Sequence, residues 1–384
     1  MAVKPVARIL ILDSAPDEFV ADELEPLLRA GFEVTLNLWR LADRDEIRRR
    51  WAGRVGFLDV DGFDEGRVVD AVVGDGVGFD VIKTRANLPL REPLLRAATG
   101  PGLDRRLRVI GQVGAGTDNI DKHAAGERGV VVTHTPGLNA AAVAEHALAM
   151  ILALTRNLVA LDREAHRARW RPARMSFPPE LADLTLGIVG PGRSGTELAW
   201  RARALGMGVT AFGSPRFTPA MAREAGMGFA ASLDELLAGV DVLSLHCPLS
   251  EATRDLIGDR ELGLMRPGAI LVNVSRGGVV DEEALARALR DDAAPLAAAA
   301  VDVFALEHGR FASPLTGLPN AVLTPHVAGM TGTAIRRAAR TLSENIVALI
   351  AGHPEEVPVA TAHPEEVPVA TAHPEGVPVA TIEG

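Results

Sequence analysis

At 384 residues the chain is long for one compact core and comfortable for two domains. Its 47% hydrophobic and 23% charged content is that of a globular protein, and a net charge of −10 argues against a nucleic-acid backbone as partner, which needs a concentrated basic face. No apolar run approaches the ~20 residues that span a bilayer, and the N-terminus shows no basic stretch leading to a cleavage site; no membrane partner and a cytoplasmic location are expected.

Short β-branched runs alternate with helical patterns along most of the chain, the mark of βαβ units and parallel sheets. A strand is predicted over 7–13, then a helix ending at Gly31, with further strands over 32–38, 79–84 and 107–113 completing a first α/β unit. The apolar-periodic segment from Asn139 to Leu161 reads as one unbroken helix, longer than most in globular domains and placed to cross between domains or carry a subunit contact. The second unit has strands over 185–189, 209–212, 241–246, 269–274, 297–304 and 321–325, and leads into an amphipathic helix over 333–350. That last helix can pack back on the first unit.

Residues 353–362 and 363–372 are the same decapeptide, HPEEVPVATA, and 373–382 repeat it with Gly376 and Ile382 substituted. Two prolines and up to two glutamates in ten residues bury too little apolar surface to offset chain ordering, so 353–384 is expected to be an extended, disordered appendage. Cys247 is the only cysteine, which excludes an internal disulfide and a cysteine-built metal cage; no metal is expected. Lysine occurs only at Lys4, Lys83 and Lys122, which draws attention to Lys83 inside a polar loop.

The strand Thr185 to Val189 runs into Gly190-Pro-Gly192-Arg193-Ser194-Gly195 and then a helix, the G-x-G-x-x-G context of a dinucleotide site. Gly190 serves the tight turn, Gly192 the close approach of a pyrophosphate, Gly195 the helix–strand packing, and the helix N-terminus faces the phosphates. About 20 residues on, an acid would hold the ribose 2′-hydroxyl. Gly213 stands there instead, followed by Ser214 and Arg216, a hydroxyl and a cation suited to a 2′-phosphate. The cofactor expected is therefore NAD or NADP, with a slight lean to NADP.

Over about residues 79–352, with Gly114-Ala-Gly-Thr-Asp-Asn-Ile-Asp121 the first matching block, the chain resembles the D-isomer-specific 2-hydroxyacid dehydrogenases, notably their phosphoglycerate dehydrogenase-like and hydroxypyruvate reductase-like members. The resemblance is carried by Val143-Ala-Glu-His-Ala-Leu, 185–195, Leu245-His-Cys-Pro-Leu249, Met265-Arg-Pro-Gly-Ala, Asn273-Val-Ser-Arg276-Gly-Gly, Val301-Asp302-Val-Phe304 and Leu323-Thr-Pro-His326-Val-Ala-Gly329. It implies an α/β fold of two doubly wound parallel-sheet domains. A flavodoxin-like substrate domain would take 1–118 and 327–352, and a Rossmann-type cofactor domain 119–326. It also implies a homodimer through the helix after Asn139.

By the same resemblance Arg276, Glu307 and His326 are the catalytic residues of hydride transfer between NAD(P)H and C2 of a 2-keto/D-2-hydroxy acid. The chemistry needs these types. An imidazole serves as general acid and base near neutral pH, a neighbouring carboxylate orients it, and an arginine fork pairs with the substrate carboxylate. Ala115, Arg193, Ser194, Cys247, Pro248, Val274, Asp302 and Gly329 are implied around the cofactor, with Cys247 a small apolar wall. Lys83 and Arg85 fall in a loop like the family's substrate-binding loop, with Gly116 also at the substrate; two cations there suit an acid carrying a second anionic group such as a phosphate. The motifs also suit a dinucleotide-sensing, corepressor-like interaction protein, or an enzyme oxidising a non-carbon acid such as phosphite.

Overall fold

Runs that are apolar without alternation, such as Val242–Leu245 and Ala269–Asn273, are buried on both faces, as strands in the middle of a parallel sheet must be. In the computed structural model, which describes residues 6–85, 88–170, 177–307 and 311–360, such runs build two parallel sheets flanked by helices. The first contains β1 (Arg8–Ile11), β2 (Glu33–Asn37), β3 (Gly56–Leu58), β4 (Val81–Thr84), β5 (Val109–Gln112) and β6 (Val131–His134), in the order β3-β2-β1-β4-β5-β6. Its connecting helices are α1 (Val20–Arg29), α2 (Arg44–Trp51), α3 (Glu65–Val73), α4 (Glu92–Ala98) and α5 (Lys122–Glu127).

Helices α6 (Ala140–Thr155) and α7 (Leu158–His166) lead to the second sheet. There follow β7 (Thr185–Val189), α8 (Arg193–Ala204), β8 (Gly208–Phe212), α9 (Pro219–Glu224), β9 (Gly228–Phe229), α10 (Leu233–Gly239), β10 (Val242–Leu245), α11 (Asp259–Gly263), β11 (Ala269–Asn273), α12 (Glu282–Arg290), β12 (Leu296–Val301) and β13 (Ala321–Leu323). Their order is β13-β12-β11-β10-β7-β8-β9, so the chain reverses direction across the sheet on either side of β7. In open parallel sheets the crevice at such a switch point takes the ligand. The final helix α13 (Gly332–Ala351) returns to the first sheet, where Leu342 and Ile346 join the core of Ile9, Val34, Val81 and Val109.

Four expectations are corrected. The boundary at 118 cuts the first sheet, because β6 pairs with β5 in the register Val109↔Val131; 131–134 is too short a run to stand out from its flanks. The helix after Asn139 is not continuous. Asn157 adopts φ +51, a left-handed conformation that asparagine tolerates better than most residues, and α7 leaves α6 at 62°. No single described helix is long and apolar enough to cross a membrane.

The third correction concerns the repeats. Residues 353–360 are not a free appendage: a 3-10 turn at Pro354–Glu356 delivers the chain to the edge of β6, and Val359 bridges Thr133 in antiparallel sense. The exposed edge offers backbone donors and acceptors that composition alone does not disclose. Residues 361–384 of the repeats lie outside the described residues.

Lys83 is also displaced from its expected place. It sits in β4, fully buried, paired with Glu23 of α1 and away from the cleft between the sheets. Burial lowers its pKa and Glu23 opposes that shift. The other Glu23 oxygen accepts from the Ala15 amide at 2.9 Å, and the Ser343 hydroxyl donates to the Glu23 carbonyl at 2.8 Å, so the pair ties α1, β4 and α13 together. Removing one partner leaves an uncompensated buried charge, which costs about 3–5 kcal/mol. Lys83→Met should therefore lower the denaturation midpoint sharply, whereas Glu23→Gln with Lys83→Met should regain much of the loss. Equal losses in the two variants would show that the charges are not what stabilises this junction.

Candidate active site

The turn after β7 is shaped for a ligand. Gly190 has φ +85, and a Cβ there would stand 2.6 Å from the Cys247 amide; one on Gly195 would stand 2.8 Å from the Gly190 carbonyl. A Cβ on Gly192 would meet nothing within 4 Å, so this glycine faces open space where a phosphate can approach the backbone. Helix α8 then begins without a side-chain cap, leaving its first amides and positive dipole end directed at that space. These features fit a dinucleotide pyrophosphate. Arg193 donates to the Pro136 carbonyl and reaches across to the segment between β6 and α6.

A residue that the sequence reading passed over supports the cradle. His246 Nδ1 lies 3.1 Å from the Ser194 hydroxyl and its Nε2 lies 2.9 Å from the hydroxyl of buried Ser244. The Leu245-His-Cys-Pro block marked this position, but its partner is 52 residues away in sequence and no spacing rule links them. Burial pushes the His246 pKa down to about 4. Next to it, burial raises the Cys247 thiol to about 11, in keeping with an inert apolar wall. Pro248 and the buried Val274 line the same cleft.

The absence of an acid after β8 has a packing cause. A Cβ on Gly213 would stand 2.7 Å from the Cβ of Phe217, whose amide donates to the Ser214 carbonyl and whose ring packs near Phe229. Ser214 and Arg216 are exposed at the mouth of the cleft.

At the carboxyl ends of β11, β12 and β13 the structure brings together Arg276, Glu307 and His326 along one cleft. His326 Nδ1 lies 2.7 Å from Glu307 Oε2, while Glu307 Oε1 accepts from the Phe304 amide at 3.1 Å. The carboxylate therefore orients the ring and leaves Nε2 as its remaining proton-transfer atom. The His326 backbone has φ +54, an uncommon conformation for a residue with a side chain.

Asp302 holds it there. This carboxylate is fully buried and accepts from the Thr324 hydroxyl at 2.5 Å and from the amides of Val327 and Ala328 at 2.9 Å each. The Asp302 carbonyl accepts from the His326 amide at 2.7 Å. Asp302 borders the cleft and fixes the loop that carries the histidine.

Arg276 donates through Nε to Asp118 at 3.3 Å and through an η nitrogen to the Ser275 carbonyl at 2.7 Å. Its guanidinium lies so close to Gly116 that a side chain at that position would have to displace it. Gly116 belongs to the loop after β5 and Arg276 to the loop after β11, so the two sheets meet through this contact. The Ala115 carbonyl is 3.1 Å from His134 Nδ1, and a Cβ on Gly329 would meet the Asn139 side chain at 2.5 Å. Of the two cations expected at the substrate, only Arg85 lines the cleft. Burial lowers its pKa, with Asp13 and Glu23 opposing the shift.

Two parallel α/β sheets, a pyrophosphate cradle at the switch point and a histidine–carboxylate pair beside it define a dinucleotide-binding protein of the oxidoreductase type. Residues 148–328 match the family model described as D-isomer specific 2-hydroxyacid dehydrogenase, NAD binding domain. The chain is 41% identical over 253 residues to a glyoxylate reductase of Aeropyrum pernix, covering 64% of this chain and 74% of that protein. It is 37% identical over 276 residues to the D-3-phosphoglycerate dehydrogenase of Archaeoglobus fulgidus, covering 72% of this chain but only half of that protein's length. A D-lactate dehydrogenase of Aquifex aeolicus, solved with NAD and lactic acid, superposes with a TM-score of 0.73 at 25% identity, covering 93% of this chain and 99% of the other. The chain belongs to the D-isomer-specific 2-hydroxyacid dehydrogenase family.

The His246 geometry has a pH signature. Its pKa is about 4 in the folded protein and about 6.5 in an unfolded chain, so between those values the unfolded chain binds a proton that the native one does not. Its stabilising contribution is complete above pH 6.5 and is lost as pH falls toward 4. The thermal midpoint of wild type should drop more steeply over that window than that of His246→Asn. Parallel curves would mean that the ring titrates normally.

Proposed function

We propose that this chain interconverts a 2-keto acid and its D-2-hydroxy acid with a nicotinamide dinucleotide. The observation that carries the reading is the His326–Glu307 pair at 2.7 Å, set in one cleft with Arg276 and the glycine cradle. The dinucleotide, when bound, supplies or accepts the hydride. His326 donates a proton to the developing alkoxide in reduction and takes it back in oxidation, Glu307 fixes the ring, and the Arg276 fork pairs with the substrate carboxylate and polarises the carbonyl.

The substrate favoured by the lining is a small, unphosphorylated keto acid. With Lys83 buried against Glu23, one of the two expected cations is withdrawn from the cleft, and the remaining one, Arg85, is already partly compensated by Asp13, which disfavours a second anionic group. A homodimer is part of the same reading, supported by exposed Leu158 on α7 and Trp170 just beyond it.

A reductase screen with glyoxylate, hydroxypyruvate and phosphohydroxypyruvate tests the activity and the substrate. The expected order of kcat/KM puts the phosphorylated acid last; no turnover with any keto acid would overturn the reading. His326→Ala should cut kcat on the order of 100- to 10,000-fold while dinucleotide affinity stays near wild type.

For the cofactor, the reading is acceptance of NADP with a modest preference for it. Gly213 removes both an acceptor for the ribose hydroxyls and the repulsion of a 2′-phosphate, and Arg216 supplies a charge-assisted bond of roughly 1.5–3 kcal/mol when well formed. Arg216→Ala should weaken NADPH selectively, and Ser214→Asp, which avoids the crowding at Gly213, should shift kcat/KM toward NADH. A wild type that already prefers NADH tenfold, together with an Arg216→Ala variant unchanged toward both cofactors, would leave Arg216 a plain loop residue.

A further inference from the structure

The edge of β6 is closed by a piece of the chain that occurs three times. Val357 is buried, the Pro358 carbonyl accepts from the Thr133 hydroxyl at 2.8 Å and from the His134 amide at 3.4 Å, and the Ala360 amide donates to the Val132 carbonyl at 2.7 Å. Ala360 also packs on the core of the first sheet, beside Val130 and Val132. Pro358 has no N–H to give to the ladder, so pairing stops there, as proline usually makes it do at a sheet edge. Val357, Pro358 and Val359 in turn form part of the wall of the cleft between the sheets.

Every side chain that makes these contacts recurs at the same spacing. Val-Pro-Val-Ala stands at 357–360, at 367–370 and at 377–380, each time followed by threonine and preceded by His-Pro-Glu and one further residue, Glu356, Glu366 or Gly376. We propose that the β6 edge is a docking surface for this motif and that the three copies are interchangeable straps for it within one chain. Identical residues give identical contacts, so only the tether from the end of α13 distinguishes them, and each further copy lengthens it by ten residues. Effective concentration falls roughly as the −3/2 power of tether length, which disfavours the second and third copies about fourfold and ninefold relative to the first. Loss of one strap is therefore repaired by the next.

Amide hydrogen exchange on the full-length chain tests this. The first variant carries Val357→Asp and Ala360→Asp; the second carries the same changes in all three copies, at Val357, Ala360, Val367, Ala370, Val377 and Ala380. In the first, protection of the 131–134 segment should stay within about fourfold of wild type, and new protection should appear over 367–370. In the second, protection of 131–134 should collapse to the level of a chain truncated after His353, with a lower thermal midpoint in both. Collapse already in the first variant would overturn interchangeability. Wild-type protection in the second would show that the motif does not hold the edge. Protection in the first variant that grows with protein concentration would assign the edge to a neighbouring chain's repeat and overturn the intramolecular strap.

Discussion

The Asp302 carboxylate is the fixed point of the site. It is sealed from solvent beyond the end of β12, and its three acceptor bonds reach forward to Thr324, Val327 and Ala328, on both sides of His326. A left-handed backbone at a histidine persists only where its surroundings over-determine it, and these bonds, with the Asp302 carbonyl on the His326 amide, do that. The direction of the ring, its contact with Glu307 and the exit of the chain toward α13 follow from the same anchor. A charge buried without such satisfaction would be costly. Here its desolvation is offset by bonds from groups that must themselves be satisfied.

Much of this was legible in the sequence because it rests on local rules. The strand, glycines and helix of 185–205 announce the cradle, and the periodicity of the second unit marks most of its strands. What was not legible depends on partners distant in sequence. Lys83 lies within the predicted strand 79–84 but reads as a substrate-loop cation because a lysine buried in a central strand is legible only with its partner, and that partner, Glu23, is 60 residues earlier. The periodicity from Asn139 to Leu161 survives the break at Asn157, since a single left-handed residue changes direction without disturbing the apolar spacing on either side. Composition shows only how little the repeat can bury alone; the β6 edge supplies the backbone partners for residues 358–360.

Gly213 shows a different limit. Reading it as a missing acid frames the position by what a ligand needs, while the structure frames it by Phe217, which leaves no room for any Cβ. Both descriptions hold, and the second explains why the choice of residue is tightly bounded whichever dinucleotide binds. His246 belongs with it, a residue inside a recognisable block whose partner, Ser194, only the fold could reveal.

The contact between Arg276 and Asp118 carries a thermodynamic corollary. The guanidinium already holds an anion, one supplied by the opposite sheet. On the proposed reading, an incoming carboxylate meets a guanidinium whose Nε is already bonded to a carboxylate, so binding is not the neutralisation of a bare cation. Its net gain is a small difference between large quantities, set as much by how readily residue 118 is rehydrated as by the ligand. On that reading, ligand selectivity responds to changes at residue 118 as well as at the arginine itself.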